Sequence, residues 1–269
     1  MTMLNALNLY IHYIRASVRS QMQYRASFIM LSVAQLLITG IEFLSIYVLF
    51  ARFGTFSGWT LPEVALFYGM VNVGFALSDA AARGFDQFGN MVKSGDFDRL
   101  LLRPRSTALQ LAGQELTLRR VGRFSQGLAV LLWAILRLRI AWTLPKVVLM
   151  VAAVLGGTCL FYGLVVLQAT LAFWATESLE IVNSFTYGGV QTTQYPLAVY
   201  RRWFQRFFIY VIPLACVNYF PVLVILGRED PLGSPLPFRW VAPAAGVLFL
   251  AMALQVWKVG VRHYTSTGS

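Results

Sequence analysis

The chain has 269 residues, of which 58% are hydrophobic and 12% charged, and a mean hydropathy of +0.63. Soluble domains carry about 25% charged residues, so this composition specifies a polytopic membrane protein and excludes an ordinary soluble enzyme. The formal charge of +11 and the pI near 10.1 do not indicate nucleic acid. The basic residues lie beside apolar runs, where anionic lipid and membrane topology account for them, and no basic soluble module exists to hold a nucleic acid.

Residues 1–25 read as an amphipathic interfacial helix. Leu4, Leu7, Ile11, Ile14, Val18 and Met22 recur at steps of three and four, and Asn5, Asn8, His12, Arg15, Arg19 and Gln23 follow one residue later. Such a helix, with arginines on its polar stripe, suits the membrane interface. No signal peptide is expected, because this start lacks a leading apolar stretch and a small-residue cleavage site.

Residues 26–269 read as one transmembrane domain, all-α, with six transmembrane helices. The apolar runs are 26–51, 61–82, 121–142, 147–174, 207–226 and 240–261. Each is long enough, at about 1.5 Å per residue, to cross a hydrocarbon core of ~30 Å. Residues 54–60 and 143–146 are tight turns, and 227–237 is a loop by its Gly and Pro content. Gly156, Gly157 and Gly163 invite close helix packing in the fourth run. Pro213 and Pro221 are expected to kink the fifth. The more polar stretch 175–206 is either a gate or a wet connector, and its composition does not choose. Cys159 and Cys216 sit within apolar runs and read as small buried hydrophobes. No internal repeat of the kind that builds secondary transporters is visible.

Charge sets the orientation. With both termini cytoplasmic, 16 of the 22 basic residues fall on the inner side and six on the outer, as the positive-inside rule requires. Half of those 16 lie in the one long polar loop, 83–123: Arg83, Lys93, Arg99, Arg103, Arg105, Arg119, Arg120 and Arg123. The expected location is the cytoplasmic (inner) membrane, with this loop available to a cytoplasmic partner.

Catalytic chemistry has no evident place. No span carries clustered carboxylates, histidines or metal ligands, which argues against a membrane enzyme acting on lipid. A phosphate-binding loop needs Gly-Lys before Ser or Thr, whereas Lys93, Lys146 and Lys258 follow Val92, Pro145 and Trp257. The chain therefore has no such ATP site of its own, and no cofactor is expected on it.

The stretch Gly95-Asp-Phe-Asp-Arg-Leu-Leu-Leu-Arg-Pro104 follows the second span of a six-span layout with an amphipathic start. In this it resembles the membrane subunit of ABC exporters, in the ABC-2 permease family and its drug-export branch. Gln194-Tyr-Pro-Leu-Ala-Val-Tyr-Arg-Arg-Trp203, leading into Tyr210-Val-Ile-Pro-Leu-Ala-Cys-Val-Asn-Tyr-Phe-Pro221, is similar to the same branch. The resemblance implies a coupling helix in the long loop that seats in a groove of a separate ABC ATPase. Two copies of that ATPase would carry ATP and Mg, beside a second permease subunit, the same chain or a homologue. Within the loop, Phe97 with Leu100, Leu101 and Leu102 would be the apolar anchor. Asp96, Asp98, Arg99 and Arg103 would form its polar rim, and Pro104 would end the helix.

Glu42 and Asp79 are the acidic residues placed at membrane depth, where a carboxylate is costly and faces the protein interior, a cavity or a partner. Glu42, with Gln35 and Asn72, is a candidate for a translocation path favouring cationic or amphipathic cargo; a protonated or hydrogen-bonded structural carboxylate between helices is the favoured alternative. Asp79 reads as a structural partner of Arg83 at the i, i+4 spacing. The alternative function is a secondary transporter or channel, driven by an ion gradient or by none and needing no ATPase.

Overall fold

Leu61 opens the helix around which the others are arranged. The computed structural model describes residues 19–114, 117, 120–174 and 179–265. The helix Leu61–Ala81 begins with a capping arrangement in which the backbone N–H and the hydroxyl of Thr60 both donate to Glu63 Oε2, each at 2.8 Å. Every residue from Glu63 to Ala76 is buried. A helix that is apolar on all sides belongs at the centre of an assembly.

Numbered along the chain, α1 is Arg25–Phe53 and α2 is Leu61–Ala81. The loop that follows folds into four short helices: α3 (Arg83–Asp86), α4 (Phe88–Lys93), α5 (Asp96–Leu101) and α6 (Thr107–Gln114). Then come α7 (Val121–Arg137), α8 (Leu144–Leu171) and α9 (Leu179–Thr193). The chain closes with α10 (Arg202–Tyr210), α11 (Leu214–Val217), α12 (Tyr219–Leu226), α13 (Leu236–Val241) and α14 (Ala244–Arg262). No strand occurs among the described residues.

The long helices form a row in the spatial order α1, α7, α2, α8, α14, with α9 and α11–α12 laid against α2 and α8. Among the described residues four helices, α1, α2, α8 and α14, are long and apolar enough to cross a membrane, and the α10 to α12 run adds a fifth if its two arms count as one span. The expectation of six spans meets two departures. The third expected run stops at Arg137, because Leu138–Thr143 is non-helical, leaving α7 only 17 residues, at the short limit for a membrane crossing. The fifth is not a kinked helix but two arms meeting at 74°. Pro213, which cannot donate a backbone hydrogen bond, sits at the break, while Pro221 is accommodated inside α12. The interfacial helix expected over 1–25 lies largely outside the described residues.

Stretch 175–206, left open between gate and connector, contains an ordered helix. α9 packs on α8 and α2 and buries Val190. Cys159 and Cys216 are free thiols, half-buried and buried respectively.

A close crossing joins α8 and α14. A Cβ on Gly246 would fall on the carbonyl oxygen of Gly156, and one on Gly156 would lie 2.5 Å from Pro243 O, so the two backbones touch only because both residues are glycine. Gly246→Ala should therefore lower the melting temperature of the detergent-solubilised chain, through overpacking worth about 1–3 kcal/mol. Gly40→Ala, whose added Cβ meets nothing within 4 Å, should not lower it, since alanine favours a helix interior over glycine.

Candidate functional site

The long polar loop is not a solvated strand of charge. Gly95 adopts a left-handed conformation, φ 74°, which lets the chain turn sharply from α4 into α5. The inner faces of α3, α4 and α5 contribute Phe85, Phe88 and Phe97, which meet Phe173 beyond α8 and Trp257 and Tyr264 at the end of α14. Phe97 lies edge-on to Phe88 and to Tyr264, each at 4.9 Å between ring centres, and Phe88 edge-on to Trp257 at 4.8 Å. These are the favoured aromatic geometries. Two hydrogen bonds fix the remainder: Trp257 Nε1 donates to Thr107 Oγ1 at 3.1 Å, and Gln110 Nε2 donates to Leu100 O at 3.2 Å.

One expectation is thereby corrected. Phe97 was expected to anchor the loop in a partner's groove, but its ring is 0% exposed and packs within this chain. Leu100 is likewise buried. Both side chains face inward because the first turns of α5 must cover the apolar ends of α8 and α14. The outward surface consists instead of Leu101, Leu102, Arg99, Arg103 and Asp96, with Asp98 half-buried. Leu102 is 85% exposed, and Arg99 pairs with Asp96 at 3.4 Å. Beside them opens a cavity of about 410 Å³ lined by Arg83, Gln87, Asp96, Arg99, Arg103 and Gln114.

A second set of polar residues runs through the contact of α1, α2 and α7. Gln35, Thr39 and Glu42 follow one another on α1, Tyr68, Asn72 and Asp79 on α2, and Arg120, Arg123 and Gln126 at steps of three at the start of α7. The Tyr68 hydroxyl lies 2.9 Å from Thr39 O, to which it donates, and 3.4 Å from Gln126 Oε1. The Asn72 amide donates to Tyr68 O at 2.9 Å, and its side chain is wholly buried. Arg123, 8% exposed, places its guanidinium 5.0 Å from the centre of the Phe75 ring, a cation–π contact that compensates part of its desolvation. Asp79 does take an arginine, but the contact found is with Arg120, at 2.7 Å, whereas Arg83 reaches Asp86 at 2.7 Å. The Asp79–Arg120 contact is an ion pair by distance whose N–H is poorly aligned with the carboxylate. Its side chains are 14% and 18% exposed. Of the three path candidates, Gln35 accepts from Arg120 Nη1 at 3.5 Å, Glu42 is half-buried, and Asn72 is packed between helices. Arg120, Arg123 and Gln126 were legible only as loop and span residues; their three-residue spacing is the signal that they share one face.

At the opposite end, Glu63 and Arg228 form a two-point ion pair of 2.8 and 3.0 Å, the Arg228 guanidinium stacked 4.3 Å from the Trp59 ring centre. Lys146 Nζ donates to Ile225 O at 3.0 Å. Together these contacts fasten the starts of α2 and α8 to the end of α12. Between the two ends, Gln205 Nε2 donates to Tyr200 O at 2.8 Å and Tyr200 donates to Thr192 O at 3.1 Å. Burial, and secondarily the neighbouring Tyr195, push the Tyr200 phenol up to about 12, so it remains a donor throughout the physiological range. Among the described residues no group of three His, Cys, Asp or Glu side chains could hold a metal ion.

Residues 36–268 match the sequence profile of the ABC-2 family transporter proteins. The chain belongs to this family. No curated protein and no solved structure matches it. An ABC-2 chain is the membrane subunit of a transporter and normally works with an ABC ATPase, and this one is a multi-pass membrane protein. The matched region contains the whole folded loop and, except for Gln35, the polar set between α1, α2 and α7.

In this ABC-2 protein Phe97→Ala should act on the fold before it acts on any partner. Truncating a fully buried phenylalanine costs about 3–5 kcal/mol, so the purified chain alone should melt at a lower temperature. Leu102→Ala, at an exposed position, should melt like the parent.

Proposed function

We propose that this chain is the permease subunit of an ATP-driven exporter, moving an amphipathic or drug-like substrate out of the cell. It works with a separate ATPase in two copies and with a second permease subunit. Its membrane domain has six spans, counting the short α7 and the broken α10–α12 run, and both termini are cytoplasmic in the inner membrane. The orientation rests on the distribution of basic residues, 16 against six.

The observation that carries the reading is the two-sided loop. Its inner face is fastened to α8 and α14 by the ring cluster around Phe97 and Trp257. Its outer face presents Leu101, Leu102, Arg99 and Arg103 beside a basic recess. A docked ATPase would place apolar side chains on the two leucines and carboxylates toward the arginines. When the ATPases close on ATP, the loop moves as one piece, because separating it from the spans would expose several buried rings. The push reaches the helices as alternating access, driven by the tighter binding of ATP to the closed pair. Cargo enters from the cytoplasm or the inner leaflet. Gln35 and Glu42 stand at the edge of its path, and Asn72 supports them through Tyr68.

Leu102→Asp combined with Arg103→Glu should leave the melting temperature of the chain unchanged and weaken capture of the ATPase about thirtyfold, the equivalent of losing one ~2 kcal/mol hot spot. Co-purification from the native host, read with transport and ATP hydrolysis, measures it. Full capture and full transport by the double variant would remove the coupling role from this surface.

Sidedness is checked separately. With Cys159 and Cys216 replaced by Ala, Ser94→Cys should react with an impermeant thiol reagent only from the cytoplasm, and Glu229→Cys only from outside. Labelling of Ser94→Cys in intact cells would invert the topology.

A further inference from the structure

A second opening lies between the loop and the last span, separate from the outward surface described above. Ser106 and Thr107, at the start of α6, bound a cavity of about 550 Å³ whose opposite wall is one face of α14. On that wall Ala251, Leu254, Lys258 and Arg262 follow at helical spacing. The face changes polarity along its length. Its first turns are apolar and its last two carry the basic side chains, all within about 16 Å at the helical rise. Lys258 and Arg262 are both exposed, and among the described residues neither forms an ion pair; Lys258 Nζ donates only to its neighbour Gln255, at 3.3 Å. Thr107 is held against this wall by the Trp257 indole.

We infer that this cavity holds an anionic phospholipid, its phosphate between Lys258, Arg262 and the hydroxyls of Ser106 and Thr107, and an acyl chain along Ala251 and Leu254. A free anion would make no use of the apolar depth. An uncharged lipid would leave two adjacent cations without a counter-charge. Basic recesses between helices at the membrane surface bind acidic headgroups in this manner. The lipid bridges the start of α6 to α14, so it braces the same attachment that the Trp257–Thr107 hydrogen bond makes, and occupancy stiffens the joint between loop and span.

The test is native mass spectrometry of the full chain purified in mild detergent, titrated with phosphatidylglycerol or phosphatidylcholine, with excess inorganic phosphate as competitor. Phosphatidylglycerol should be retained in preference to phosphatidylcholine, and inorganic phosphate should not displace it. Lys258→Gln/Arg262→Gln, at two exposed positions, should weaken retention about thirtyfold, and the parent should gain thermal stability from phosphatidylglycerol that this variant does not. Ala251→Phe, which fills the recess without touching charge, should weaken retention too. Equal retention of the two lipids, or unchanged retention by Lys258→Gln/Arg262→Gln, would overturn the inference. Complete displacement by phosphate would make this a free-anion site and overturn it equally.

Discussion

The rest of the structure depends on the contact between the folded loop after α2 and the ends of two long helices, where Phe88, Phe97, Phe173 and Trp257 close on one another. The short helices of the loop, four to eight residues each, would not persist alone in water, since isolated helices below about 12–15 residues are marginal. They persist because each places an aromatic or aliphatic face on this cluster. Hydrophobic burial works here because the loop lies at the end of the bundle, where the alternative environment is water rather than lipid. The loop is therefore part of the folded body, packed on α8 and α14.

Inside the bundle the energetics differ. Lipid is as apolar as leucine, so long helices associate through close packing and interhelical hydrogen bonds. Both devices are present. Gly156 and Gly246 let α8 and α14 touch backbone to backbone, while Tyr68, Gln126 and the Asp79–Arg120 pair connect α1, α2 and α7. A pair this buried gains little net stability over an apolar replacement, but losing one partner leaves an uncompensated charge. The pair sits where α7 leaves the loop.

The far end is fastened by a different set of contacts. Glu63 serves two ends at once, accepting from Thr60 at the start of α2 and pairing with Arg228 past the end of α12. The break at Pro213, with arms at 74°, lies between this clamp and the loop. One arm, α11–α12, packs on α2 and α8, and the other, α10, buries Gln205 and Phe208.

Composition and the positions of charge determined that this is an all-helical membrane protein, and roughly where its long helices run, because apolar length and basic flanks are local properties that lipid reads directly. The loop motif, Gly95 to Pro104, marked where the candidate site lies. What the sequence did not determine was direction. Phe97 in α5 and Leu102 just past its end are both large, apolar and close in sequence, yet one ring is buried and the other side chain points into solvent. Only the position of α14, some 160 residues away, settles that difference. The same applies to Asp79, which had an arginine at local spacing in Arg83 but is met by Arg120 across a helix contact, and to Pro213 and Pro221, of which one breaks a helix and the other does not. Each outcome depends on which surface a residue meets after packing, and packing partners are set by contacts distant in sequence that no local pattern encodes.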